Sequence, residues 1–353
     1  MSMLDTRRAG DGPPGFFLFT VLSISGNEGG LMLLRIAGIV LAFFCFTGAG
    51  LAAEGPAPRP ALKVPLATKV VFLGIARAGD RVVAAGERGV VIYTDDAGAT
   101  WTQADVPVRS TLTALSFVDD MTGYAVGHDA VILKTTDAGS TWTLVNFEPE
   151  SRNVMLNVRF RDARTGYVVG SNGQLWITQD AGAAWDRRTL AVEDWYQNHI
   201  FDIAWRTDGV TVAVAEKGVL YRSPDGLSDF APIASPYAGS YFGALALADG
   251  KFLIYGMNGH VFLSADAGTS WNQVRTSTEQ FLLGATTLAD GRVLIVGAGG
   301  TVLVIDPQSA SAQLSRRADG VGITAVLVAA DSAYLAGATG GIRKLPLSEL
   351  LPR

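Results

Sequence analysis

The chain has 353 residues, a net charge of −5 and a pI near 5.3. That acidic balance excludes the basic patch or stripe with which nucleic-acid binders neutralise phosphates. With 41 glycines, 48% apolar and only 17% charged residues, the composition also excludes a helical bundle and a disordered chain. It describes many short, buried, tightly turned segments.

Residues 1–53 are expected to be an N-terminal extension and signal peptide. Met32 to Ala53 has the order of a secretory signal: Arg35, an apolar run from Ile36 to Phe46, then small residues before Glu54. The run is short for a membrane span of about 20 residues, so cleavage after Ala52 or Ala53 is expected, with Met32 as the true start. The only cysteine, Cys45, lies within this signal and follows Phe44, where a lipoprotein site would carry a small residue. The mature chain is therefore expected to have no disulfide and no thiol metal site.

Residues 54–68 form a Pro-rich linker, GPAPRPALKVP from Gly55 to Pro65, leading into the domain. Residues 69–350 are built from repeats. A turn of the type Gly-x-x-Gly followed by an apolar run begins at Gly86, Gly127, Gly170, Ala215, Gly256, Gly297 and Gly337, with spacings of 41, 43, 45, 41, 41 and 40 residues. A period in this range marks a solenoid, a propeller or an array. Within one repeat, LTALSFVD, GYAVGHD, AVILKTT and TWTLVNF read as four strands separated by Asp, Thr and Gly turns. After the signal no stretch shows helical spacing. Four strands per repeat of about 40 residues is a propeller blade, which predicts an all-β, seven-bladed β-propeller of four-stranded antiparallel blades. The last repeat supplies only three strands before Arg353. An open sheet edge invites association, so Ala61 to Thr68 is expected to pair onto the last blade and lock the ring.

A second signature recurs between the third and fourth strands: TDDAGATW at Thr94, TTDAGSTW at Thr135, TQDAGAAW at Thr178 and SADAGTSW at Ser264. Asp96, Asp137, Asp180 and Asp266 are expected to accept hydrogen bonds from N–H groups one or two residues ahead. Gly98, Gly139, Gly182 and Gly268 supply a left-handed backbone. Trp101, Trp142, Trp185 and Trp271 are expected to pack between blades. Four of the seven tryptophans occupy this one position, which is the distribution of a packing residue and not of a binding cluster.

This eight-residue turn resembles the Asp-box of the BNR repeat. The wider units from Leu112 to Trp142 and from Leu156 to Trp185 resemble the photosystem II stability and assembly factor family. The resemblance implies a seven-bladed, non-enzymatic, lumenal or periplasmic protein that uses an Arg-rich face to hold a membrane-protein partner. For a secreted homologue it suggests help to another membrane complex, for example an export system. It implies no cofactor, and a monomer is expected.

Chemistry is sparse beside this. Sialidases share the Asp-box and are similar to one another in an Arg-Ile-Pro motif, three axial arginines and a Tyr/Glu pair; no Arg-Ile-Pro occurs here. An Asp-box glycosidase or lectin is the alternative. His128, His199 and His260 lie far apart without ligand-like spacing, and no P-loop, Rossmann or Gly-x-Ser-x-Gly motif is present. What remains is a face. The loops joining one blade to the next, together with those between second and third strands, fall on one side of a propeller. They carry Arg109, Arg152, Trp195, Tyr196, His199, Tyr237, Tyr241, Arg275, Arg316 and Arg317. Arginine and aromatic residues are enriched at binding hot spots, and this set is the predicted partner-binding face.

Overall fold

Each repeat of the sequence folds as one antiparallel sheet, and there are seven of them. The computed structural model describes residues 56–191, 197–337 and 339–352; the expected signal lies outside them. Six sheets have four strands in sequence order and the seventh has three. The innermost strands are Phe72–Ala78, Leu112–Phe117, Met155–Phe160, Ile200–Trp205, Tyr241–Ala246, Leu282–Thr287 and Ile323–Ala329. Neighbouring innermost strands contact one another around the whole ring, the first and last included. The chain is a seven-bladed β-propeller.

Burial explains why the repeats read as they do. The second strand of a blade is covered on both faces by adjacent blades, and Gly123–Gly127, Gly166–Gly170 and Phe252–Gly256 are buried at every residue. Such a strand must be a continuous apolar run. The fourth strand is at the rim, and Thr143–Asn146 is largely exposed. The core is accordingly divided into layers between blades: Tyr124, Val126 and Ile132 of the second pack on Met155, Val168 and Trp176 of the third. Each fully buried side chain of this size contributes about 1.5–3 kcal/mol.

Every innermost strand carries one extra residue near its start, where the pairing register with the second strand slips. The recurring Gly-x-x-Gly turn is built around this bulge. A Cβ on Gly127 would lie 2.1 Å from the carbonyl oxygen of Thr111, and one on Gly89, which has φ +71°, would lie 2.1 Å from that of Val108. The first glycine lets the incoming chain cross, and the second adopts a conformation that side chains resist.

Among the described residues the last blade has three strands, and no N-terminal strand is paired to it. Residues 61–66 form no strand and lie on the first blade. The Ala61 N–H donates to the Val106 carbonyl at 2.9 Å, the Val64 N–H to Gln103 Oε1 at 2.9 Å, and Gln103 Nε2 to the Leu62 carbonyl at 2.8 Å. Pro60 and Pro65 have no N–H for a ladder, while the outer strand of the first blade, Thr102–Gln103, is short enough to need this cover. The expected fourth strand on the last blade is not among the described residues. Residues 68–70 instead serve that blade as an interblade loop: the Gly341 N–H donates to the Val70 carbonyl at 2.8 Å. Among the described residues helix is confined to short pieces, of which Leu347–Leu350 is one α-turn. It seats Leu350 among Leu288, Leu294 and Leu335 of the last two blades.

Candidate functional site

The Asp-box turns lie at the end of the blades opposite the interblade loops, and their hydrogen bonds run further than expected from the sequence. Asp137 Oδ1 accepts from the Thr141 N–H at 2.9 Å and Oδ2 from the Thr141 hydroxyl at 2.7 Å, four residues ahead. Thr135 donates its hydroxyl to Asp137 at 2.8 Å and accepts the Gly139 N–H at 3.0 Å. The boxes of Asp96, Asp180 and Asp266 repeat the pattern. These donors hold the Asp96 and Asp266 carboxyls down to about 2, the Thr100 and Ser270 hydroxyls contributing most. The alanine before each glycine is also left-handed, with φ of 56–59° at Ala97, Ala138, Ala181 and Ala267.

These turns also tie each blade to the one before it. A Cβ on Gly139 would meet Val83 at 3.2 Å, one on Gly182 would meet Tyr124 at 2.9 Å, and one on Gly268 would meet Val212 at 3.0 Å. Arg81, Lys134 and Arg222 donate to the carbonyls of Ala138, Ala181 and Ala267. Trp142 and Trp185 belong to the apolar layers between blades, as do Trp101 and Trp271.

The opposite face carries the residues predicted to bind a partner, and the structure divides them. Trp195 and Tyr196 lie outside the described residues. Arg109 is engaged, its Nε donating to the Pro60 carbonyl at 2.8 Å. Arg317 pairs with Asp319 at 3.0 Å, and Arg343 pairs with the same carboxylate, which these cations and the Val321 N–H hold at about 2. His199 Nδ1 accepts the Asn172 N–H at 3.1 Å, and the His199 N–H donates to Glu216, so it bridges two blades. Tyr241 is buried, with its hydroxyl 2.8 Å from that of Ser235 and held up at about 12 by burial. Tyr237 stacks on His260 at 4.0 Å between centroids. Its hydroxyl accepts from Asn258 Nδ2 at 3.0 Å.

Three of the predicted arginines have guanidinium groups with no hydrogen-bond or ion-pair partner among the described residues: Arg152, Arg275 and Arg316. Arg152 is isolated on its loop. Arg275 and Arg316 are brought together as walls of one polar cleft of 640 Å³ between the fifth and sixth blades, with Asn258, Thr278 and Glu279. Phe281, three-sevenths exposed at 43%, follows directly in the chain.

Phe281 leads into the axial tunnel, a cavity of 570 Å³ lined by the innermost strands of all seven blades. The bulge residues ring its mouth on the loop side. Five are apolar: Leu73, Leu156, Phe201, Phe242 and Leu283. Thr113 and Thr324 complete the ring and turn their hydroxyls to the carbonyls of Met155 and Phe72. Phe201 and Phe242 meet edge to face at 5.2 Å, and Phe242 and Phe281 at 6.0 Å. An aromatic row thus crosses three blades at the rim.

Deeper in the tunnel lies a charged pair that the sequence reading missed. Arg159 Nε and Nη2 grip Asp202 at 2.7 and 2.8 Å. Asp202 also accepts from Asn157 Nδ2 and from the N–H groups of Ile203 and Ala244, each at 2.8–2.9 Å. Burial pushes the Asp202 carboxyl above its ordinary range, opposed by Arg159 and the backbone donors. Burial and the Asp202 charge push the Tyr255 hydroxyl well up. The signal was present in the repeats. The position after the bulge is Gly74, Ala114, Asn157, Asp202, Gly243, Gly284 and Ala325, and only two adjacent blades depart from Gly or Ala there. Arg159 is the one arginine among the tunnel-lining residues, so the three-arginine arrangement of an Asp-box glycosidase is not formed by them. Among the described residues no His, Cys, Asp and Glu cluster could hold a metal ion, and no helix is long and apolar enough to cross a membrane.

Comparison with known proteins agrees with the resemblance in the repeats. The model of the family "Photosynthesis system II assembly factor YCF48" matches residues 94–154 and 142–235. A solved structure of YCF48 bound to D1 peptide is 17% identical with a TM-score of 0.64, covering 83% of this chain and 99% of that one. YCF48 from Cyanidioschyzon merolae is also 17% identical, with a TM-score of 0.63 over 83% and 99%. The virginiamycin B lyase of Staphylococcus aureus shares the fold at 11% identity and a TM-score of 0.68, over 82% and 98%. No curated protein matches the chain in sequence. The chain is a β-propeller that matches the photosystem II assembly factor family over residues 94–235.

Proposed function

We propose that this propeller is a non-catalytic assembly factor that holds a peptide segment of a membrane-protein partner on its loop face, on the periplasmic or lumenal side of a membrane. The observation that carries the reading is the pairing of Arg275 and Arg316 in one cleft with no carboxylate bound to either. Arginine held unpaired at a surface retains its full set of donors for a carboxylate or carbonyl brought by a partner. Phe281 beside the cleft and the rim of Phe201 and Phe242 offer apolar contact next to that charge. Desolvated aromatic and arginine anchors of this kind dominate binding energy. A relative of the same fold, matched in family over the first to fourth blades, has been solved with a peptide bound.

Capture from the native membrane tests this. The mature chain is immobilised, and membrane proteins retained by it are compared with those retained by the Arg275→Ala, Arg316→Ala double variant. Retention of a defined membrane protein by the first and its loss from the second is the expected result. Equal retention by both would remove the cleft from the binding face.

A further inference from the structure

We propose that the axial tunnel is itself a binding site, which takes an apolar side chain in its mouth and the neighbouring amide carbonyl on Tyr255 and Arg159 below. The inference rests on the peptide-holding reading only for the source of that amide.

Tyr255 supplies the first observation. It is 4% exposed, it lines the tunnel, and its hydroxyl has no hydrogen-bond partner among the described residues. The hydroxyl opens on the tunnel and is not sealed in its wall, so it is a donor available to an acceptor that enters. Its position is deliberate in the sequence. Tyr255 pairs in register with Gly243 of the innermost strand, and a Cβ on Gly243 would lie 2.2 Å from the Tyr255 hydroxyl oxygen. The glycine leaves the notch through which the hydroxyl reaches the tunnel.

Arg159 supplies the second. Its Nε and Nη2 are spent on Asp202, while Nη1 has no partner among the described residues and the side chain is 34% exposed. Asp202, by contrast, already accepts four hydrogen bonds and has Arg159 Nε at 2.7 Å, which meets the roughly four lone-pair sites of a carboxylate. The pair is neutral as a unit and offers donors only. An anion gains no net charge attraction there, and a cation finds no free acceptor. An uncharged acceptor, of which the amide carbonyl is the commonest in proteins, fits both conditions.

The mouth supplies the third. Leu73, Leu156, Phe201, Phe242 and Leu283 converge from five blades, and the two threonines of the ring turn their hydroxyls into the wall. An apolar group entering along the axis would therefore meet carbon on most sides before its carbonyl reaches the donors.

The test titrates the full chain with N-acetyl-phenylalanine amide and, separately, with N-acetyl-phenylalanine as the free acid, read by ligand-observed NMR. Saturable binding of the amide, tighter than that of the acid, is expected. Tyr255→Phe keeps the ring that fills the notch and should weaken the amide about five-fold, the worth of one hydrogen bond, with an unchanged Tm. Phe242→Ala should weaken it further. The Arg275→Ala, Arg316→Ala variant should bind the amide as the natural chain does, which separates this site from the loop cleft. Absence of saturable binding, tighter binding of the acid, or natural affinity in both Tyr255→Phe and Phe242→Ala would overturn the proposal.

Discussion

The hydroxyl of Thr324 donates to the main-chain carbonyl of Phe72 at 2.9 Å, joining the last blade to the first across 252 residues. Thr113 makes the same bond to Met155 between the second and third blades, at 2.6 Å. Closure of the ring thus repeats an ordinary blade-to-blade contact. Gly98, in the Asp-box of the first blade, likewise sits against the Tyr334 ring of the last.

Thr324→Val should therefore cost about 1 kcal/mol, similar to Thr113→Val, when both are measured by thermal unfolding. A normal Tm for Thr324→Val beside a lowered one for Thr113→Val would show that the seam contributes nothing.

Asp137→Ala removes the acceptor for the Thr141 and Thr135 donors and should lower stability by about 1–2 kcal/mol. Gly139→Ala acts at the same turn by another route. It places a Cβ on a backbone with φ +86° and presses it on Val83, which costs about 1–2 kcal/mol for the left-handed conformation alone. Denaturant titration would separate these variants from a neutral one, and unaltered midpoints would refute the stapling role.

The box aspartates also predict a pH dependence. Asp96 and Asp266 titrate at about 2 in the fold, below the roughly 3.9 of an unfolded chain. A carboxyl depressed by folding stabilises fully above its unfolded value and loses that contribution as pH falls through its folded value. The Tm should begin to drop near pH 4 and continue down toward pH 2. Asp96→Asn should flatten that segment of the profile, and an identical profile would contradict the assignment.

Arg159→Met leaves the Asp202 carboxylate buried without its cation and should destabilise by about 3 kcal/mol, the low end of that range because Arg159 is partly open to the tunnel. Arg159→Lys should recover part of the loss. Chemical denaturation reads both, and equal stability of Arg159→Met and the natural chain would mean that the pair is idle.

On the loop face, Arg275→Ala with Arg316→Ala should reduce partner capture while leaving the Tm in place. Arg317→Ala should reduce capture less, because that guanidinium is already paired with Asp319. A larger loss from Arg317→Ala would shift the binding face toward the seam.

Blade number, strand order within a blade and the Asp-box turns were legible in the amino-acid sequence because each depends on residues within one period. An apolar second strand, a Gly-x-x-Gly turn and a Thr-x-Asp-x-Gly turn carry their causes locally, and seven repetitions average out an exception such as Ala215. Even so, the reach of Asp137 to Thr141 needed coordinates, since an aspartate can satisfy several nearby N–H groups and composition does not choose among them.

The tertiary structure alone decided what depends on residues far apart in the chain. It turned the segment at 61–66 onto the first blade, because Pro60 and Pro65 cannot complete a ladder while Gln103 offers both a donor and an acceptor. It separated Arg109 and Arg317, which are spent within the fold, from Arg275 and Arg316, which are not. It also set Arg159, Asp202 and Tyr255 from three successive blades around one axis. A repeat is written in neighbouring residues, whereas a site on the axis exists only once the ring has brought every first strand together.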